Sequence, residues 1–217
     1  LSDFTDQEQA HYLEQAVLNK KNIVCMGATK SGKTTLMETL LRRVDASEHV
    51  IILEDVHELS RDSSKTTNLL AHPTDPKRSL SEYCAMALRM SPERIVLGEI
   101  RSKEVIPLLL AFNSGHRGGM TSLHADSVPD GLERMALLFQ LYSENAQLPH
   151  QKVMELVCKN IDVAVFVSDK NIKTIVEIKG CESGRAIFEE VCFNEQANCL
   201  ISGQNHADDW WKKASAH

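Results

Sequence analysis

The 217-residue sequence contains no apolar run approaching the roughly 20 residues that cross a bilayer as a helix. The longest, Val105 to Phe112, is interrupted by Pro107, so no transmembrane segment is expected. No Lys or Arg precedes Lys20, while Asp3, Asp6, Glu8 and Glu14 do, so residues 1–20 do not read as a secretory signal peptide. The chain opens on Leu1 rather than Met, which leads us to expect a missing N-terminal part. No C-x-x-C pair occurs among Cys25, Cys84, Cys158, Cys181, Cys192 and Cys199, which fall mostly in apolar segments. Reduced, buried thiols of a cytosolic protein are expected. A cationic excess is lacking too: 24 Lys+Arg against 30 Asp+Glu give a formal charge of −6 and a pI near 5.9. That argues against coating nucleic acid, which needs a dense basic face, but leaves room for a local groove. What is present is ordinary for a globular chain: 42% apolar and 25% charged residues exclude wholesale disorder.

Thr5-x-x-Glu8 forms a capping box, with Tyr12, Leu13, Ala16 and Val17 following at helical spacing. Strands are then predicted at Asn22–Met26, His49–Leu53, Thr66–Ala71, Arg94–Leu97 and Gly119–His124. Helices are predicted at Lys33–Arg43, Ser79–Met90, Ser102–Asn113, Pro129–Ser143 and Pro149–Lys159. Such alternation implies parallel pairing with right-handed crossovers. Past residue 160 the texture changes, and Ile161–Val167, Ile172–Ile178 and Arg185–Val191 read as an antiparallel meander. The expected organisation is an α/β core over residues 1–160, an antiparallel β extension of the same domain over 161–200, and a polar tail over 201–217. Within that tail, Trp210-Trp211 beside Lys212-Lys213 fits a membrane-interface anchor or, as we favour, a packed or disordered end.

Gly27-Ala28-Thr29-Lys30-Ser31-Gly32-Lys33-Thr34 satisfies G-x-x-x-x-G-K-[ST] between a predicted strand and a predicted helix, the context that confirms a phosphate loop. Glycines allow backbone N–H groups to turn inward, and the helix start adds positive potential. Lys33 can reach the β/γ-phosphates and the Thr34 hydroxyl can ligate Mg²⁺. With Thr35, this segment is the expected ATP/ADP-binding element. Carboxylates for metal and attacking water are sought at the carboxyl ends of parallel strands, where ligands gather. Glu54 and Asp55, with Glu58 shortly after, end one such strand. Glu99 ends another, with Gly98 where a Walker B strand commonly has Asp. A glycine-rich run from Ser114 through His116, Arg117 and Gly118-Gly119 leads into a strand ending at His124, on the same edge as Glu99. A neutral imidazole there can donate to a γ-phosphate, although an isolated His is equally a structural residue.

The phosphate loop, Ile51-Ile-Leu-Glu54-Asp55, Leu97-Gly-Glu99-Ile-Arg101 and Gly115-His116 through His124-Ala125 occur in the order found in secretion ATPases. They resemble the Walker A, Asp-box, Walker B and His-box motifs of that superfamily, over about residues 20 to 170. The interval of eight between His116 and His124 looks closest to the type IV secretion and conjugation branch, with pilus and type II secretion motors as the alternative. The resemblance implies a RecA-like core in a homohexameric ring at the cytoplasmic face of the inner membrane, partnered by secretion or pilus machinery. It also implies a separate N-terminal domain contributing arginines, absent from this chain, which would then be the C-terminal ATPase domain. Carried over by position, Lys33 and Thr34 hold phosphate and Mg²⁺. Glu99 is the catalytic carboxylate, Glu54 a ligand of metal or water, and Glu99 a further metal-site carboxylate. His124 contacts the γ-phosphate, and Arg101 and Arg117 serve as charge stabilisers or ring-interface residues. One departure is Lys30, where the family usually has Gly; a long cation there either strengthens nucleotide binding or covers the site. Competing classes are a P-loop phosphotransferase, a DNA or RNA motor, and a non-hydrolysing, nucleotide-responsive docking domain. No arginine-rich lid supports the first, and no aromatic-plus-basic stretch supports the second.

Overall fold

The computed structural model describes residues 7–143 and 148–191; Thr5, Cys192, Cys199 and the Trp210-Trp211 tail lie outside them. Six strands run parallel: β1 (Ile23–Gly27), β2 (Val50–Glu54), β3 (Thr66–Leu70), β4 (Arg94–Ile100), β5 (Met120–His124) and β6 (Val163–Ser168). Two more, β7 (Asn171–Glu182) and β8 (Arg185–Glu190), follow β6 antiparallel. One eight-stranded sheet results, in the order β3-β2-β4-β5-β1-β6-β7-β8. The helices are α1 (Gln7–Leu18), α2 (Lys33–Leu41), α3 (Leu80–Ala87), α4 (Val105–Asn113), α5 (Val128–Tyr142) and α6 (His150–Asn160).

Alternation along the buried strands sorts the core into two layers. Ile23 and Cys25 of β1 face α1 and α2, joining Leu13, Leu36 and Leu40. Val24 and Met26 face the other way, toward Leu108 of α4, Leu132 of α5 and Val157 of α6. Local signals set the helix starts. Ser79 and Ser127 cap α3 and α5, their hydroxyls accepting from Glu82 N and Asp130 N. Pro107, which interrupts the longest apolar run, sits in the first turn of α4, where its missing N–H costs nothing.

Two expectations shift. The helix predicted from Ser102 begins at Val105, because the Glu104 carboxylate accepts from the N–H groups of Arg101 and Ser102 and holds them in a turn. The antiparallel meander expected from residue 161 is present, β6 with β7 and β7 with β8, but its first strand also joins the parallel sheet. β6 pairs parallel with β1 from Ile23↔Val163 to Met26↔Phe166 and antiparallel with β7, so it belongs to both parts of the sheet. Its continuous apolar run, Val163 to Val167, suits a strand covered on both faces as well as a meander strand, so composition alone could not assign it.

The cysteines behave as buried apolar groups: Cys25, Cys84 and Cys158 are buried and free, and Cys181 is half-buried and free. Burial pushes the Cys158 thiol up to about 12.

At the amino ends of the strands, Arg94 is 1% exposed and holds Glu48 in a two-pronged ion pair, Nε and Nη2 each donating at 3.0 Å. Its Nη1 donates to Val17 O at 2.9 Å and Gly118 O at 3.4 Å, while Lys20 adds a second cation 3.1 Å from Glu48. Burial pushes the Glu48 carboxyl up, but hydrogen bonds from Arg94 and Lys20 outweigh it and hold the group below its ordinary value. A carboxyl depressed on folding stabilises fully above its unfolded pKa, about 4.3, and loses that contribution as pH falls through the folded value. Thermal unfolding from pH 7 to 3 is therefore expected to show a steeper acid-side loss in the parent chain than in Glu48→Gln. Parallel curves would count against it.

Candidate nucleotide site

β1 delivers the chain into the phosphate loop at Gly27, where φ is 151° and an added Cβ would lie 2.1 Å from Val167 O of β6. Only glycine fits between these strands. Ser31 N–H donates to Ala28 O, closing a tight turn with Lys30 in left-handed backbone, φ 63°. Gly32, also left-handed, precedes α2 without a side-chain cap, so the first N–H groups of the helix face the loop. Lys33 is 7% exposed, its ammonium donating to Gly27 O at 3.0 Å and Ala28 O at 2.8 Å. Burial lowers its pKa, partly opposed by the charge of Glu99.

β5 lies between β1 and β4, in register Gly27↔His124, so His124 ends its strand level with the start of the loop. Against β4 the register slips between Leu97 and Ile100, an irregularity that re-aims the residues within it. Glu99 sits there, anchored from β5 by Ser122 Oγ donating to Gly98 O at 2.7 Å. Its Oε1 lies 2.9 Å from His124 Nε2 but is buried without a hydrogen-bond donor, while Oε2 accepts from Arg101 Nε at 2.7 Å. Burial lowers the His124 pKa and Lys33 reinforces this, with Glu99 opposing, so the imidazole is neutral at pH 7. Lys33, Glu99 and His124 thus converge at the carboxyl edge of the sheet.

The remaining expected residues divide. Glu54 reaches the same region, 4% exposed, but its Oε1 accepts from Glu58 N and Leu59 N at 3.1 and 2.9 Å, and Oε2 lies 3.4 Å from His57 Nδ1. It holds its own loop. Gly98 packs against it: a Cβ at 98 would stand 3.2 Å from Glu54 Cγ, so a larger residue there would require the Glu54 side chain to shift. Arg101 joins the site through Glu99 and also lies 3.6 Å from Asp55. Arg117 does not join it. It pairs with Asp162 at 2.8 Å, beside the amino ends of β5 and β6, a strand length from the phosphate loop, because Gly118-Gly119 precede β5 rather than follow it. The turn expected between the first two meander strands is present between β6 and β7, but its contact with the phosphate loop was not foreseen from the sequence. Asp169 and Lys170 are both left-handed, φ 53° and 59°, and Lys170 N–H donates to Ser31 O at 2.9 Å, bracing the phosphate loop from outside. A contact made between main-chain atoms leaves no mark in the sequence.

A family model described as type II/IV secretion system protein matches residues 2–216. The chain belongs to this family. Among the family's members, it is 37% identical over 163 residues to the type IV secretion system protein PtlH of Bordetella pertussis, covering 72% of this chain and 48% of that one. It is 35% identical over 162 residues to VirB11 of Brucella suis, again over 72% of this chain and 45% of the relative. The crystal structure of the Brucella suis VirB11 ATPase, solved with sulphate, superposes with a TM-score of 0.70 at 30% identity, covering 86% of this chain and 52% of that one. The chain therefore spans about half the length of the curated relatives it matches. The type IV branch is the one these relatives occupy, and their RecA-like fold is the fold seen here.

The donor set fits Mg·ATP. The free lone pairs of Glu99 Oε1 and the half-buried Thr34 hydroxyl suit a hard cation that takes oxygen ligands. Ser31 Oγ, buried in the loop without a partner, is a further polar atom available to a ligand.

Proposed function

We propose that this chain is the ATPase domain of a type IV secretion traffic motor, converting ATP and water to ADP and phosphate. The observation that carries this is the unpartnered Glu99 Oε1, buried beside a neutral His124 and the buried Lys33. A carboxylate with a free lone pair accepts a proton from water, provided the water is held in line with the terminal phosphate. Loop N–H groups and Lys33 hold the β- and γ-phosphates, and Lys33 neutralises charge as it develops. For that, its ammonium leaves the carbonyls of Gly27 and Ala28, which it occupies here. His124 donates to the γ-phosphate; Arg101 fixes the Glu99 carboxylate. Thr34 and Glu99 would hold Mg²⁺, which when bound spreads the charge of the polyphosphate oxygens. Assembly as a homohexamer at the cytoplasmic face of the inner membrane, against secretion machinery, is part of this proposal and is supported by the type IV relatives.

A second reading, nucleotide-responsive docking without turnover, draws on Arg101 gripping Glu99 Oε2. Titration with Mg·ATP and phosphate release across a protein concentration series separates them. Turnover per molecule that rises with concentration supports a site completed between subunits. Lys33→Ala is expected to weaken binding at least about tenfold, the cost of losing a charge-assisted phosphate contact. Unchanged binding in that variant would remove the nucleotide assignment.

A further inference from the structure

Lys30 stands out in the phosphate loop for where it sits and what it lacks. It occupies the third position of the turn closed by Ser31 N–H on Ala28 O, at φ 63°, a place that turns of this shape give to Gly or Asn. A long side chain there is strained, and such strain persists at ligand-clamping positions. The strain is not offset by contacts. Lys30 is exposed, and among the described residues its ammonium has no hydrogen bond or ion pair. The turn between β6 and β7 is braced on the loop through its backbone, Lys170 N–H donating to Ser31 O at 2.9 Å, and Lys170 is equally exposed. Beside Lys30 the buried Ser31 hydroxyl, 6% exposed, lacks a partner.

The two cations already placed in the site are committed. Lys33 lies on the carbonyls of Gly27 and Ala28, and Arg101 on Glu99 and Asp55. We propose that Lys30 is a second phosphate-binding cation, closing its ammonium onto the solvent-facing oxygens of the nucleotide's polyphosphate while loop N–H groups and Lys33 hold the inner side. This deepens the nucleotide reading above and rests on it. The physical case is one of spacing and charge: the side chain is long enough to reach back over a ligand seated on the loop, and a triphosphate is the densest anion the site would hold.

The test uses the 217-residue chain, titrated with a fluorescent non-hydrolysable ATP analogue and with ADP, both with Mg²⁺, alongside thermal unfolding without nucleotide. Lys30→Met keeps length and backbone strain while removing charge. It is expected to bind the ATP analogue about tenfold more weakly or worse, the cost of one charge-assisted hydrogen bond. Lys30→Arg should bind within about threefold of the parent, since it restores the cation. Lys30→Gly relieves the left-handed strain, so it should melt at a higher temperature than the parent yet bind as weakly as Lys30→Met. This opposite movement of stability and affinity is not produced by a merely structural lysine. Parent-like affinity in Lys30→Met and Lys30→Gly would overturn the inference while leaving the nucleotide site standing. Absence of nucleotide binding by the parent chain, matched by Lys33→Ala, would overturn both.

Discussion

Glu99→Gln is expected to reduce phosphate release by at least about a hundredfold, the low end of what a positioned general base contributes, with nucleotide affinity within a few-fold of the parent. The argument is local. Oε1 of Glu99 is buried and lacks a donor, whereas Oε2 is held by Arg101. An amide fills the same space but carries no charge, and its nitrogen cannot accept a proton. The shape of the β4 irregularity and the Ser122–Gly98 anchor do not depend on that charge, so the loop should keep its geometry. Steady-state phosphate release paired with analogue titration checks it. Turnover at the parent's rate would show that Glu99 is not the base, and lost binding would show that it shapes the loop instead.

The largest loss of stability is expected at Arg94. Its guanidinium is 1% exposed and ties Glu48 to the backbone of Val17 and Gly118. Removing one partner of a buried ion pair leaves an uncompensated charge and typically costs about 3–5 kcal/mol. In a domain of this size each kcal/mol is worth about 2–4 °C, so Arg94→Met should melt roughly 10 °C lower. Lys20, 3.1 Å from Glu48, tempers the loss without restoring the carbonyl contacts. The double variant Arg94→Met/Glu48→Met should recover part of it, because replacing both charges by apolar groups of similar volume is often neutral. A single variant melting with the parent would show that the pair contributes nothing net.

Much of this was legible because chemistry and chain order coincide. The spacing of Gly27, Gly32 and Lys33 requires a strand before and a helix after, and both are present. Glu99 and His124 could be placed on one edge because parallel strands share a direction. Their adjacency, however, depends on β5 lying between β1 and β4, an order that spacing does not reveal. The place of Arg117 was hidden for the same reason: a glycine-rich loop near a key strand lies at its amino or its carboxyl end, and within one chain only the latter borders the phosphate loop. The commitments of Glu54 to Glu58 N and Leu59 N, and of Glu104 to Arg101 N and Ser102 N, were invisible because backbone donors leave no mark on composition. The brace from Lys170 onto Ser31 joins segments nearly 140 residues apart through main-chain atoms, and was equally hidden.

The ion pairs at the strands' amino ends have a consequence for how this domain tolerates change. Arg94 with Glu48 and Lys20, and Arg117 with Asp162, pair these charges at that rim within the chain. The opposite rim keeps unanswered groups: Glu99 Oε1, Ser31 Oγ and the free ammonium of Lys30. Robustness and reactivity are therefore housed at opposite poles of one sheet. Substitutions can drift at the reactive pole, altering turnover and ligand choice, while the paired pole goes on supplying the stability that such drift consumes.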